Sequence, residues 1–378
     1  MRLKIATLEE SGAKAIPLDF DAGNLVGGRR AGGTLVRIGA PRETDYGAFW
    51  LGDSLLSLNR RGGFAVSGGQ LISRSPAVGG EPFLVFRGNP VAGELAQHAG
   101  KIILKKPSAQ TEIDSGVYVG SLAPHNWFHW LIDTLPVIYS LRHLPDKYDA
   151  FPVLLPAESV ERETWRTALE IALAGRSFRL VRASDYSRVK SLIMMDGVSS
   201  AFPRSNSLSG RDCRIFIREQ LAHEFRDRIL SELGLSTKMK APWRRAYIGR
   251  KNSAVRKYNQ DEIYSIAAEF GFERIYLEDL SFADSVKVFT EAACVIGPHG
   301  AGFANMLFTR PGTKVLLWSW NDTKGDNWYE TLFAVSAADA TFLEYPTGGF
   351  SNAPQDPRNA DYILRPEAFR ASLQKMVG

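Results

Sequence analysis

The sequence predicts a mixed α/β protein in which two α/β domains follow one another behind a β-rich N-terminal segment. Three observations carry this. The chain has 378 residues, more than a single core of about 250–300 residues sustains. From Gly116 onward, short apolar runs alternate with amphipathic helical stretches, the pattern of βαβ units and a mostly parallel sheet. That pattern breaks at 235–242, a linker ending in Pro242, and restarts beyond it. The boundaries read this way are 1–110, 111–235 and 243–365, with a C-terminal helix over 366–378. Two such domains joined by a linker leave a cleft between them, a preferred place for ligands.

The N-terminal segment alternates short apolar runs, as at 34–38 and 82–86, with Gly62-Gly63, Gly68-Gly69 and Gly79-Gly80, so it reads as strands joined by turns. In the first α/β domain, 117–120 reads as a strand and 126 to about 143 as a helix. Asn126 is its N-cap, and Trp127, Trp130, Leu131, Leu135 and Ile138 recur at helical spacing. Pro136 falls inside that helix and should kink it. Then come a strand at 151–155, a helix at 160–174, strands at 178–181 and 189–195, and one long amphipathic helix from Ser209 to about Leu233. In the second domain, strands at 246–249, 274–277, 292–296, 315–318 and 342–343 alternate with helices at 260–270, 282–292 and 328–334.

Composition narrows the function. With 44% hydrophobic and 23% charged residues the chain has ordinary globular proportions. Its net charge of +5 fits an anionic substrate or brief contact with an anionic membrane surface. No run of Lys and Arg is interleaved with aromatics, which argues against nucleic acid as a partner. The two cysteines, Cys213 and Cys294, lack CxxC spacing; they read as buried thiols in a reducing cytoplasm, not as a disulfide framework or a zinc site. The first residues lack a signal-peptide core, and no apolar stretch approaches the ~18 residues of a membrane span. The expected location is therefore the cytoplasm, including the inner face of the membrane.

Three stretches carry chemistry. Gly297-Pro298-His299-Gly300-Ala301-Gly302 follows the apolar strand 292–296 and precedes a short helix at 303–308. Strand, glycine turn and helix start together present backbone N–H groups to a phosphate, with Gly300 and Gly302 permitting close approach and His299 adding a hydrogen-bonding ring. The same six residues also fit a plain tight turn with a structural histidine. In the aromatic helix, His129 and Asp133 are four apart and share a face, so the carboxylate can orient the imidazole for proton abstraction. The pair also fits an aromatic core helix with one surface ion pair. His125, His129 and Asp133 would offer a metal three ligands, but His125 lies outside the helix and no further ligand cluster accompanies it. Arg250, Lys251, Arg256 and Lys257 cluster just after strand 246–249, where they could hold a diphosphate or form a solvated basic loop. Asp19-Phe20-Asp21 has a D-x-D metal spacing but follows no buried strand, and reads as ordinary surface acid.

Taken together these stretches resemble glycosyltransferase family 61, over roughly residues 115 to 345. The resemblance rests on Asn126, His129 and Asp133 in the aromatic helix, on Tyr247-Ile248-Gly249-Arg250 with Arg256 and Asn259, and on 297–308, including Asn305. The Ser that usually precedes the motif arginine is Gly249 here, and the acid after Asn259 is displaced past Gln260 to Asp261. The resemblance implies a GT-B fold of two Rossmann-like domains facing a cleft. It implies an inverting transfer of a sugar from a nucleotide-sugar, usually a UDP-sugar, to a hydroxyl of a glycan or lipid-linked saccharide. The second domain would hold the donor and the first would face the acceptor. His129, oriented by Asp133, would act as base, with Asp133 itself as the alternative. Arg250, Lys251 and the N–H groups near Gly300-Ala301-Gly302 would hold the diphosphate. Arg256, Asn259, His299 and Asn305 would complete the donor pocket. No cofactor or metal is required, because arginine and a helix dipole can do that work; a divalent ion stays open. The absent signal and few cysteines resemble a bacterial member of the capsule, exopolysaccharide or lipopolysaccharide type. The rival readings are a catalytically silent sugar-nucleotide or glycan-binding protein and a nucleotide-dependent oxidoreductase. The latter needs an early G-x-G-x-x-G turn, whereas the glycines here come late and as G-x-x-G-x-G.

Overall fold

The computed structural model describes residues 2–8, 10–31, 33–41, 46–59, 62–73, 94–98, 101–104, 109–120, 125–181, 186–203, 213–235, 241–251, 254–320, 327–345 and 360–378. The strand expected at 82–86 lies outside them. The chain is mixed α/β and divides into two compact units. One comprises Met1–Leu25 and Gly39–Ile229; the other comprises Val26–Ile38 and Leu230–Gly378. The sequence reading takes residues 1–110 as a segment of its own; the described strands in that range are shared between the two units. Most of their strands join the first unit, and Val26–Ile38 joins the second.

In the first unit, four strands run parallel in the spatial order Phe178–Val181, Val153–Pro156, Ala109–Tyr118, Tyr186–Met195. By chain order the first three of these four run backwards, so the winding reverses between Ala109–Tyr118 and Tyr186–Met195. The sheet does not stop there. Tyr186–Met195 pairs antiparallel with Ala48–Asn59, and the sheet continues through Gly62–Ser67, Gln70–Ser73, Arg2–Thr7, Lys101–Leu104 and Glu94–His98. It is thus mixed where a mostly parallel sheet was expected. The glycines explain the antiparallel part. Gly68 and Gly69 take φ of 54° and 75° between the paired residues Ser67 and Gln70, the two-residue turn that matches strand twist. Leu56, Ile113, Leu154, Val189 and Met194 build the core from both parts of the sheet.

The long helix expected from Ser209 is shorter. Residues 204–212 lie outside the described ones, Cys213–Arg218 is a strand antiparallel to Ser199–Pro203, and the helix is Glu219–Glu232. Ile215, Phe216 and Ile217 are consecutive and all buried, and two are β-branched; this suits a strand and leaves no polar face for a helix.

In the second unit, five parallel strands lie in the order Glu273–Ile275, Arg244–Ile248, Ala292–Pro298, Lys314–Trp320, Asp339–Tyr345. Thr34–Gly39 adds an antiparallel strand beside Asp339–Tyr345, and Leu25–Ala31 lies next to it. By chain order the five parallel strands read 2-1-3-4-5, so the winding reverses between Arg244–Ile248 and Ala292–Pro298. Parallel strands covered on both faces read as unbroken apolar runs. Tyr247, Ile296, Leu316 and Trp318 pack under the helices Gln260–Glu269 and Pro366–Val377. The helices Phe282–Thr290 and Trp328–Val335 pack with the stretch 301–308 through Phe282 on Phe308 and Phe333 on Phe303. Gly28 is seated against Trp328–Val335: its N–H donates to Thr331 Oγ1 at 3.1 Å, its carbonyl accepts from Asn327 Nδ2 at 2.8 Å, and a methyl there would overlap the Glu330 carbonyl. No helix among the described residues is long and apolar enough to cross a membrane.

Candidate active site

In the first unit the two strands that flank the reversal are followed along the chain by the stretches that hold His129, Asp133 and Ser199. After Ala109–Tyr118 the chain enters the aromatic helix. Asn126 caps it, its side chain accepting from Phe128 N–H at 2.9 Å. The helix is not uniform. Trp127–His129 is α, Trp130–Thr134 is π, and Leu135–Ser140 is α again. Leu135 N–H reaches back five residues to the Trp130 carbonyl. The kink expected at Pro136 thus takes the form of a widened turn just before it, and Pro136 sits in the first turn of the next α segment, where a missing N–H costs least. Such π turns within α-helices often mark functional positions. Trp130, fully buried, stacks on Trp165 at 5.6 Å and 21°, which fixes the face opposite the polar groups.

His129 and Asp133 bracket the π turn. His129 Nδ1 and Asp133 Oδ2 are 2.6 Å apart, and Asp133 Oδ1 accepts from Ser199 Oγ at 2.6 Å. Ser199 begins the strand that follows Tyr186–Met195, so it arrives from the other side of the reversal. Both carboxylate oxygens are engaged, and the Asp133 side chain is only 4% exposed against 18% for His129. With Nδ1 donating to the carboxylate, the proton-accepting atom of the ring is Nε2. His125 is exposed, and among the described residues no three of His, Cys, Asp and Glu stand together as a metal-holding group.

In the second unit the reversal lies between the strand ending at Ile248 and the strand ending at Pro298, and the two loops that leave it meet. The Arg250 guanidinium donates to the His299 carbonyl through Nη2. A methyl at Gly300 would meet that same Nη2 at 3.4 Å, an ordinary contact, whereas one at Gly302 would stand 2.7 Å from Leu277 Cδ1 and would force that side chain to shift. Gly300 leads into a tightly wound 3-10 helix, Ala301–Phe308, begun by half-buried Ala301. Asn305 donates to the Gly302 carbonyl at 2.9 Å, while its buried Oδ1 has no partner among the described residues.

Charge is concentrated here. The half-buried His299 ring lies between Trp320 and Tyr329, with centroids at 4.6 and 4.2 Å. Burial, then the cations Arg256, Arg250 and Arg30, hold it well below the usual imidazole range, so it is neutral. Arg256 takes a left-handed φ of 58°, and burial followed by repulsion from Arg250 lowers its own pKa. Arg30 is balanced by Glu330 and Glu344. Neither Arg250 nor Arg256 has a carboxylate partner among the described residues. Two neighbouring guanidiniums without a carboxylate partner among the described residues, at the carboxyl edge of a parallel sheet, offer an anion a place to bind.

Not every expected residue stands there free. Lys251 pairs with Asp279 at 2.6 and 2.7 Å on the surface. Asn259 exchanges two 3.0 Å hydrogen bonds with the backbone of Leu364 and donates to Glu262 at 2.6 Å, so its side chain ties down the segment before the last helix. Asp21 accepts from Gly23 N–H at 2.8 Å in a local turn, and Phe20 stacks on His143. Ser199 and Arg30 were not foreseen. Each reaches its site from far along the chain, and neither lies in a pattern that singles it out.

A family model described as Glycosyltransferase 61 matches residues 127–316, half of the chain. The match begins at the aromatic helix and contains His129, Asp133, Ser199, Arg250, Arg256 and the whole glycine turn. A comparison with curated proteins finds no match.

Proposed function

The chain belongs to glycosyltransferase family 61, and from that premise we propose that it is an inverting transferase that moves a sugar from a UDP-sugar to a saccharide hydroxyl. The observation that carries this is the pair Arg250 and Arg256, without a carboxylate partner among the described residues, beside the glycine turn at the reversal of the second sheet. A nucleoside diphosphate supplies the missing negative charge there, and it is the leaving group of the reaction.

In this reading the two units are the Rossmann-like domains of a GT-B enzyme, the second holding the donor and the first the acceptor. The acceptor oxygen attacks the anomeric carbon from the face opposite the diphosphate. Its proton passes to His129 Nε2 as the new C–O bond forms. The bond between the anomeric carbon and the diphosphate oxygen breaks with its electron pair, and the configuration inverts. Asp133 fixes the ring and faces the imidazolium that results; Ser199 fixes Asp133. Arg250, Arg256 and the backbone N–H groups of the glycine turn meet the charge that grows on the diphosphate, and each such donor is worth roughly 3 kcal/mol at comparable sites. His299, kept neutral, gives a hydrogen bond without adding charge. The acceptor is a glycan or lipid-linked saccharide of the kind built into capsule, exopolysaccharide or lipopolysaccharide, met in the cytoplasm or at the inner face of the membrane.

The test begins with UDP-, GDP- and CMP-sugars screened for thermal stabilisation, because a ligand of the folded state raises its apparent stability. The stabilising donor is then followed for release of free nucleotide. UDP-sugars are expected to stabilise the protein and to release UDP slowly, and His129→Ala is expected to abolish release. Stabilisation by no nucleotide-sugar refutes the donor site. Stabilisation with equal, negligible release in both proteins favours a silent binding protein.

A further inference from the structure

We propose that Gln260 is a positioning residue for Arg250: its carboxamide stands in for the peptide group of a missing strand and fixes the backbone from which the phosphate-binding guanidinium extends. This rests on Arg250 being a ligand of the donor diphosphate. The parallel ladder between Arg244–Ile248 and Glu273–Ile275 ends with Ile248 opposite Ile275, and Gly249 N–H adds one more bond, to the Ile275 carbonyl at 2.9 Å. Beyond it the partner strand is gone, because the chain after Tyr276 turns into the short helix Leu277–Asp279. Arg250 therefore needs a donor and an acceptor from elsewhere.

A primary amide carries the same pair of groups as a peptide. Gln260 Oε1 accepts from Arg250 N–H at 2.7 Å, and Gln260 Nε2 donates to the Arg250 carbonyl at 3.1 Å. The amide is itself held the right way round. The Tyr258 hydroxyl donates to Oε1 at 3.2 Å, and Nε2 lies 3.4 Å from the Tyr276 hydroxyl. Tyr258 in turn shares a 2.7 Å hydrogen bond with Tyr247, buried in the strand that runs into Arg250. Gln260 is also the first residue of the helix Gln260–Glu269, so its main chain is anchored. At the far end of the same arginine, the guanidinium donates to the His299 carbonyl. Arg250 thus spans the reversal with its backbone tied on one side and its charged group on the other. An arginine held this way is already placed when the anion arrives, and the ligand does not bear the cost of ordering it.

The test is a double-mutant cycle read as UDP affinity by calorimetry, on the wild type, Gln260→Ala, Arg250→Ala and the double variant. Gln260→Ala is expected to weaken UDP binding about tenfold, since two backbone hydrogen bonds are lost, and Arg250→Ala about a hundredfold. The double variant should bind no more weakly than Arg250→Ala alone, because Gln260 acts only through Arg250. Gln260→Glu keeps the acceptor for Arg250 N–H and loses the donor, so it should fall between wild type and Gln260→Ala, and it serves in place of the alanine variant if that does not fold. With saturating donor, kcat of the Gln260 variant should return toward wild type while KM stays high. Additive losses in the cycle, or wild-type affinity in Gln260→Ala, overturn the positioning role. Unchanged affinity in Arg250→Ala instead overturns the donor-site reading beneath it.

Discussion

His129 and His299 are the same side chain in opposite company. His129 faces a carboxylate 2.6 Å away, and that carboxylate is held in turn by a hydroxyl at 2.6 Å. His299 lies between two aromatic rings, and burial, followed by three arginines, keeps it neutral. An imidazole beside an anion is suited to take up a proton, because the positive ring is stabilised where it forms. An imidazole among cations is suited to stay uncharged and donate a hydrogen bond. The contrast teaches that the neighbours assign the role, and each set of neighbours converges where the winding of its own sheet reverses.

The largest effect that could break the contrast is in turnover. His129→Ala should lower kcat by about 10²–10⁴-fold, the usual worth of a positioned base, and leave UDP affinity unchanged by calorimetry. A matching loss of UDP affinity would erase the division between the two rings. Arg256→Ala should do the reverse, weakening UDP binding by about 10–100-fold as one charge-assisted contact is lost. Next in size is Ser199→Ala, which leaves Asp133 with one oxygen unfixed; steady-state kcat should fall about tenfold with KM for the donor unchanged. An unaltered kcat would show that the carboxylate needs no second anchor.

The smallest effect is on stability, and its sign follows from the burial of His299. Its folded pKa lies below its ordinary value of 6.5, so above that pH both folded and unfolded states carry the neutral ring. Below 6.5 the unfolded chain binds the proton and the folded one does not, so stability falls as pH drops, by up to about 1.4 kcal/mol per pH unit until the folded pKa is reached. Urea midpoints at several pH values below 6.5 should show this decline in the wild type and a flatter profile in His299→Gln. Identical slopes would mean that the cations around His299 do not govern its charge.

Local chemistry was legible in the sequence and long-range chemistry was not. The spacing of His129 and Asp133 announced their pairing, and the run from Ala292 to Gly302 announced strand, turn and helix, because both are decided within one or two turns of chain. Ser199 was invisible, since it meets Asp133 across 66 residues and a lone Ser carries no signal. Lys251 and Asn259 match a pattern of ligands, and the partners they hold in the fold are distant ones that the pattern does not display: Asp279 pairs with the first, and the Leu364 backbone meets both ends of the second's amide. The strand Cys213–Arg218 reads as helix in the sequence because the amphipathic helix Glu219–Glu232 follows it without a break, so the two patterns merge. The clamp of Gln260 on Arg250 depends on where a neighbouring strand ends, which no window of sequence displays.

The docking of Gly28 beside Thr331 has a consequence for biosynthesis. A ribosome releases Gly28 long before it has made Asn327 and Thr331, so the nascent polypeptide carries that early strand without these two partners until residue 331 has emerged. The second unit therefore draws on a strand made well before the rest of it, and a gene fragment that starts at Leu230 would encode it with an uncovered slot where Gly28 belongs.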